Sequence, residues 1–385
     1  MTHIVRAAPG VAALAIAAIL IAGCAECPPC PLRRAPPSIA YVQARFTDLP
    51  GWDEARLLPG LRAFAAGCDA LAGGALARAC EAARPIAASG DEASARRFVE
   101  ASFAPWALGA AGGAREGLIT GYYEPVLEGA RERSARFRYP VYGVPSDLVD
   151  VELESVAPEL RGMRLRGRLE GSRVVPYWSR SQIEDRPPPA PVLAWVDDPV
   201  ALFFLQIQGS GQIRLASGDR LRLAYADQNG HPYRALGRVL VERGELTLDQ
   251  ATMQGIRAWA EANPGKVRDT LDANPSYVFF RELPPGASPV GSLGVPLAAG
   301  YSLAVDTRAV PLGAPVYLAT TWPGSTQPLL RLAAAQDTGG AIRGAVRADV
   351  FWGTGEEAGA LAGRMRERGQ IWVLWPRDEP LAPPQ

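Results

Sequence analysis

Apolar positions recur every three or four residues between residues 52 and 106. In "ARLLPGLRAFAAGCDAL" they fall at Leu61, Phe64, Cys68 and Leu71, which predicts helix. Ser89 and Glu92 form a capping-box pattern that predicts a further helix start before "ASARRFVEASF". From residue 116 the period shortens. "GLITGYYEPVL" reads as a strand with Gly121 inside it, a mark of a bulge or of close backbone approach. Residues 129–195 are rich in proline and arginine, with short strands at "RYPVYG" and "RVVPYWS" and a loop at "RPPPAP". "ALFFLQIQGSG" reads as an apolar strand running into Gln206 and Gln208, and "QIRLASGDRLRLAYAD" as a hairpin about Ser-Gly-Asp.

Helical spacing returns at about 232–243 and 247–262. "NPSYVFFREL" reads as a strand and "PPGASPVGSLG" as a loop. Short strands then follow one another: "YSLAVD", "PVYLATTW", "LLRLAAAQD" and "ADVFWG". The helix "EEAGALAGRMRER" comes next, with Gly369 as its stop, and "QIWVLW" closes the series. Short strands with one helix predict a small closed barrel. The pattern contains no internal repeat. The fold class expected is mainly β with N-terminal helices.

The start of the chain has a different pattern. A basic beginning, the apolar run "VAALAIAAIL" and "IAGC" ending at Cys24 form a targeting segment outside the fold. The run is shorter than the roughly 20 residues that span a bilayer. It resembles a bacterial lipobox, in which Cys24 becomes the lipidated N-terminus. Ala25 stands where an aspartate would retain the protein at the inner membrane, so by analogy the expected location is the outer membrane, facing the periplasm. "PPCPLRRAPPS" then reads as a stiff tether.

Composition removes several functions. Lys+Arg and Asp+Glu are equal at 40 each, so no net field attracts nucleic acid. The 40 glycines and 35 prolines favour turns and short strands over helical bundles. Two histidines are present, and losing His3 with the signal leaves His231 alone, which excludes multi-histidine metal sites. No metal or cofactor is expected. Ser210 in "QGSGQ" lacks a nucleophile elbow, so His231 reads as a turn residue and not as part of a triad. In an oxidising compartment Cys27/Cys30, Cys68/Cys80 or both pairs are open to disulfide formation.

Three aspartates, Asp306, Asp337 and Asp349, bound apolar strands, flanked by glycine or aromatic residues. Strand-end aspartates commonly form turns, but three in this setting point to a cleft. "DTG" at 337–339 suggests an aspartic protease. That chemistry needs a second such loop, and Asp306 is followed by Thr-Arg.

"ITGYYEPVLEG", "FFLQIQGSGQIRL", "YADQNGHPYRALGRVLVERGEL", "NPSYVFF", "LAVDTRAVPLGAPVYL" and "QDTGGAIRGAVRADVFWGTGEEAG" occur in order between about 116 and 376. Together they resemble the family of membrane-bound lytic murein transglycosylase A, the last two matching its C-terminal three-aspartate module. The resemblance implies a double-psi β-barrel with a second, smaller β-domain inserted and a groove between them. The expected boundaries are a signal at 1–23, a tether at 24–45 and helices with the first part of the barrel at 46–127. The inserted domain would take 128–285, and 286–378 would complete the barrel. The resemblance makes Asp349 the catalytic acid/base, with Asp337 and Asp306 as its supporting acids. A glycan groove would be lined by aromatic rings and amides, which makes Tyr122, Tyr123, Gln206, Gln208 and Tyr277 candidate substrate contacts, with Glu124 beside the two tyrosines as a further one. Gly339 and Gly340, with Gly344, would let backbone approach a sugar ring. Its partners would be peptidoglycan glycan strands, and the membrane through a lipid anchor.

The implied reaction needs one carboxyl group where ordinary glycosidases need two. The muramic acid 6-hydroxyl acts as nucleophile and gives a 1,6-anhydro product, so the same acid first donates a proton and then accepts one. Such an acid must stay protonated near neutral pH, through burial against Phe351 and Trp352 or through the charge of Asp337. The alternatives are a non-catalytic peptidoglycan-binding lipoprotein and the disfavoured protease.

Overall fold

The computed structural model describes residues 39–381 except 111–112, 158–164, 285–287 and 341. The expected signal segment, Cys24, Cys27, Cys30 and most of the expected tether lie outside the described residues. In chain order, β1 (Ile39–Gln43) is followed by α1 (Leu58–Ala65), α2 (Ala77–Ser89), α3 (Glu92–Ser102), β2 (Phe103–Ala110) and β3 (Gly117–Glu124). The next stretch comprises β4 (Val126–Ala130), β5 (Tyr139–Tyr142), β6 (Val149–Val151), β7 (Leu165–Glu170) and β8 (Arg173–Pro176). It continues through α4 (Arg180–Asp185), β9 (Val192–Val196), α5 (Pro199–Gln208), β10 (Ser210–Leu215) and β11 (Arg220–Gln228). It ends with α6 (Leu236–Glu242), α7 (Met253–Ala262), α8 (Val267–Asp272) and β12 (Val278–Leu283). The last part is β13 (Ser302–Val305), β14 (Pro315–Thr321), β15 (Pro328–Thr338), β16 (Arg347–Thr354), α9 (Glu356–Arg364) and β17 (Arg366–Pro376).

Strands β17, β14, β15, β13, β16 and β3 pair in that order, and β3 pairs back onto β17, closing a six-stranded barrel. Within it β13/β15 and β16/β3 run parallel and the other pairs antiparallel, the mixed connectivity of the expected double-psi barrel. Strands β2 and β1 extend the sheet from β17. The chain leaves the barrel after β3, builds a six-stranded sheet in the order β12-β11-β10-β4-β9-β5 and a three-stranded sheet β6-β7-β8, and returns at β13. One apolar cluster joins the barrel interior to α1–α3, with Leu57, Leu61, Phe64 and Phe103 fully enclosed. Each such side chain stabilises the fold by about 1.5–3 kcal/mol relative to exposure. Cys68 and Cys80 are bonded, joining the turn after α1 to α2.

Several expectations are corrected. The segment 201–209, expected as a strand, is the body of helix α5. Its apolar run has no clean period, and its ends decide the matter. The Asp198 carboxylate accepts from the Val200 and Ala201 N–H groups, Pro199 opens the helix, and Gly209 at φ 75° closes it. The cap of α3 is Asp91, which accepts from Ala93 and Ser94, and not Ser89, which ends α2. Gly369 lies inside β17, because the residues after α9 are drawn into pairing with Gly117–Thr120 and close the barrel. The expected tether to residue 45 overlaps β1, whose ladder with β2 orders residues 39–43.

Candidate functional site

Strand β16 carries the site. Ala348, Val350 and Trp352 point into the barrel core, so the alternating Asp349 and Phe351 face the other way. On the parallel neighbour β3, Ile119 and Tyr123 belong to the core, and Thr120 and Tyr122 lie opposite Asp349 and Phe351. Gly121 makes this possible: a Cβ there would meet Trp352 Nε1 at 2.6 Å. On the other side, Asp349 is registered with Ala304 of β13, and Ala304 with Asp337 of β15. A register shift between Leu303 and Ala304 skips Gln336, whose amide bonds Ser302 and Ala63 instead. The bulge brings Asp337 into one row with Asp349, with only the alanine methyl between them.

The two carboxyl groups are held differently. Asp349 Oδ1 accepts from Thr120 Oγ1 at 2.7 Å, and Thr120 Oγ1 itself accepts from Arg347 Nη2 at 2.8 Å. A hydroxyl has one proton, so the arginine bond commits it to Asp349. Among the described residues no hydrogen bond reaches Asp349 Oδ2. Asp337 Oδ1 accepts from the Ser292 N–H (2.9 Å), the Ser292 hydroxyl (2.9 Å) and the Thr338 N–H (2.8 Å). Its Oδ2 accepts from the Tyr122 hydroxyl at 2.8 Å. Burial raises the Asp349 carboxyl above the ordinary aspartate value, and the charge of Asp337 adds to the rise. The Thr120 bond and Arg347 oppose it without cancelling it. Burial also lowers the Arg347 guanidinium, against the pull of Asp349. Tyr122 is pushed well up by burial and then by Asp337 and Asp349, and its ring lies tilted by 50° against Phe351, with centroids 5.2 Å apart.

Asp306, the third acid, is 2% exposed and occupied locally. Arg308 binds both its oxygens, and the Gly344 N–H donates to Oδ2 at 2.8 Å. Burial works against its charge, but these bonds hold the carboxyl below its usual range. It holds Gly344 in the connection that leads into β16.

The structure therefore brings together Asp349, Asp337 and Tyr122 and places the other candidates elsewhere. Tyr123 lies in the core, its hydroxyl on Met253 Sδ at 3.4 Å. Glu124 is 1% exposed, where Arg222 (3.0 Å), Gln212 and Thr354 (2.7 Å) surround its carboxylate. It ties the end of β3 to β10 and β11. Gln206 accepts from Arg180 inside the second module, and Tyr277 is buried beside the same arginine, 5.0 Å from its ring. These two are packing residues: Gln206 because the segment expected as a strand is a buried helix, and Tyr277 because it precedes β12 and packs against Tyr142 and Phe279. Gln208 is half-buried and accepts from the Tyr123 N–H at 3.1 Å. Gly339 sits beside Ile342, and Gly340 is exposed with open space beside it. Trp352, expected to desolvate Asp349, faces the core; Phe351 shares the acid's side. His231 is 2.7 Å from the Tyr177 carbonyl through Nε2, a structural contact. A cavity of about 540 Å³ lies on the other face of β3, against Gly121, Tyr123, Met253 and Ala362.

Sequence reading missed Thr120, Arg347 and Ser292. Arg347 was open to discovery from strand alternation once Asp349 was suspected, whereas Thr120 meets Asp349 only through the pairing of β16 with β3, 229 residues apart in sequence. Ser292 had no local signal.

Two family descriptions match the chain: the MltA specific insert domain over residues 118–281 and the 3D domain over residues 301–375. The membrane-bound lytic murein transglycosylase A of Escherichia coli K12 is 34% identical over 297 residues, covering 75% of this chain and 73% of that protein. The crystal structure of MltA from Neisseria gonorrhoeae superposes with a TM-score of 0.79 at 39% identity, over 90% of this chain and 95% of that one. E. coli MltA with bound chitohexaose gives a TM-score of 0.66 at 28% identity, over 88% and 94%. Identity of this extent, along both the barrel and the inserted module, shows that the chain belongs to the family of membrane-bound lytic murein transglycosylase A.

Proposed function

We propose that this protein cleaves peptidoglycan glycan strands as a lytic transglycosylase, with Asp349 as the single acid/base. The observation that carries the residue assignment is the unequal treatment of two carboxyl groups in one row. Four donors converge on Asp337, and one reaches Asp349. Donors crowd the Asp337 carboxylate and leave one oxygen of Asp349 open, so Asp349 is the member placed to carry and pass a proton. Asp349 holds the proton on Oδ2 and Asp337 supplies the charge.

Asp349 donates its proton to the glycosidic oxygen as the bond from muramic acid C1 breaks. The resulting carboxylate accepts the proton of the C6 hydroxyl as that oxygen bonds to C1. The products are a chain with a free hydroxyl and a 1,6-anhydro end, with no water consumed and the acid regenerated. Thr120 fixes the carboxyl plane, and Phe351 with Tyr122 limits water beside it. The relative with bound chitohexaose supports a glycan strand as ligand, and we place that strand in a groove between the barrel and the inserted residues 128–285.

The test is incubation of purified sacculi with wild-type protein and Asp349→Asn, with mass spectrometry of the products. Anhydro-muropeptides from the wild type and a loss of about 10²–10⁴-fold or more in the variant are expected. A folded Asp349→Asn protein that still releases them near the wild-type rate overturns the assignment. Peptide fragments would indicate a protease, and intact sacculi a binding protein.

The relatives are named membrane-bound, and among the described residues no helix is long and apolar enough to cross a membrane. The Cys68–Cys80 disulfide suits an oxidising compartment. We assign anchoring to a lipid on Cys24, at the outer membrane. Fractionation of Cys24→Ala checks this: the variant should move to the soluble periplasmic fraction, and continued pelleting with outer membranes contradicts it.

A further inference from the structure

Residues 288–301 lead from the inserted module into β13. Part of this connection docks on the bulge of β15. The Leu293 N–H donates to the Gln336 carbonyl at 3.1 Å, and a Cβ at Gly291 would meet that same oxygen at 2.3 Å. Between them, Ser292 gives both its N–H and its hydroxyl to Asp337 Oδ1. Its hydroxyl oxygen is 2.7 Å from Thr338 Oγ1. With the Ser292 proton committed to Asp337, the Thr338 hydroxyl donates to Ser292, and a directed chain ends on the carboxylate. Ser292 itself is exposed, so this hydroxyl fills no core position.

We propose that Ser292 is a positioning residue for the acid pair, holding Asp337 in the bulged register so that its charge stays beside Asp349. The inference rests on Asp349 being the acid. The charged and titratable groups facing the pair are Arg347 on β16, Tyr122 on β3 and the two aspartates; β13 contributes only Ala304. None of these offers Asp337 Oδ1 a donor. Without the Ser292 hydroxyl the carboxylate keeps two N–H donors on that oxygen and can turn toward water, where its charge acts less on Asp349.

The experiment is the pH dependence of kcat on sacculi for Ser292→Ala, Ser292→Thr, Asp337→Asn and the Ser292→Ala/Asp337→Asn double variant. Because Asp349 works protonated, Ser292→Ala should move the alkaline limb to lower pH, less far than Asp337→Asn does. Ser292→Thr keeps the hydroxyl and should restore the limb. In the Asp337→Asn background Ser292→Ala should add nothing. An unmoved limb in Ser292→Ala beside a moved one in Asp337→Asn overturns the role of Ser292. The same shift in both backgrounds overturns it too, since the serine would then act without the carboxylate. Failure of the underlying reading looks different: Asp349→Asn would remain active, or Asp337→Asn itself would leave the limb in place.

Discussion

Asp337→Asn removes one negative charge from the row and leaves an amide of nearly the same shape. Its oxygen still accepts from Ser292 and Thr338, and Tyr122 can rotate its hydroxyl to accept from the new NH₂ group. The register sets the separation. Asp337 and Asp349 flank Ala304 on adjacent strands, so their Cα atoms are two strand spacings apart, about 9.6 Å. At that distance the repulsion between unit charges is about 1.7 kcal/mol for an effective dielectric near 20, and about 0.4 kcal/mol in bulk water. That repulsion helps to hold the Asp349 carboxyl up, so removing it should lower the carboxyl by an amount that these two energies bound. Both side chains are half-buried, which places the expectation inside these limits. The sign follows from the role. An acid that must be protonated loses activity as pH rises through its pKa, so a lower pKa moves the alkaline limb of the kcat profile to lower pH. The assay is anhydro-muropeptide release from sacculi across pH, with circular dichroism as a folding control. A limb that stays in place or moves upward would refute the argument that Asp337 acts on Asp349 through its charge.

Glu124→Gln leaves Arg222 without its carboxylate partner in a buried setting, so stability to urea should fall by about 3–5 kcal/mol. A loss below about 1 kcal/mol would show that the bracket between β3 and β11 is dispensable. Replacing Cys68 and Cys80 by alanine should cost about 2–4 kcal/mol, read as a lower melting temperature than the oxidised wild type. An unchanged melting temperature would mean that the helical packing alone holds that region.

What the sequence determined by itself is what short-range periodicity encodes. The alternation in "ADVFWG" separates Asp349 from its buried neighbours, and the Ser-Gly-Asp turn predicts the β10/β11 hairpin, because side-chain direction along a strand is a local property. The three aspartates were legible from the apolar runs beside them. Local pattern failed at 201–209, where an apolar run is compatible with a buried strand or a buried helix and only the caps decide. With that error went Gln206. Tyr277, just before the strand β12 that was legible, was also expected in a groove and is enclosed in the second module by packing. Glu124 followed the same course. A carboxylate beside two tyrosines invites a binding role, but Arg222, 98 residues away in sequence, claims it. Partnership between distant strands decided the rest. A one-residue bulge at Gln336 puts Asp337 in line with Asp349, and Ser292 reaches that carboxylate from 45 residues earlier in the chain. Register and long-range contact depend on how whole elements pair and pack, and no window of the chain contains both sides of such a contact.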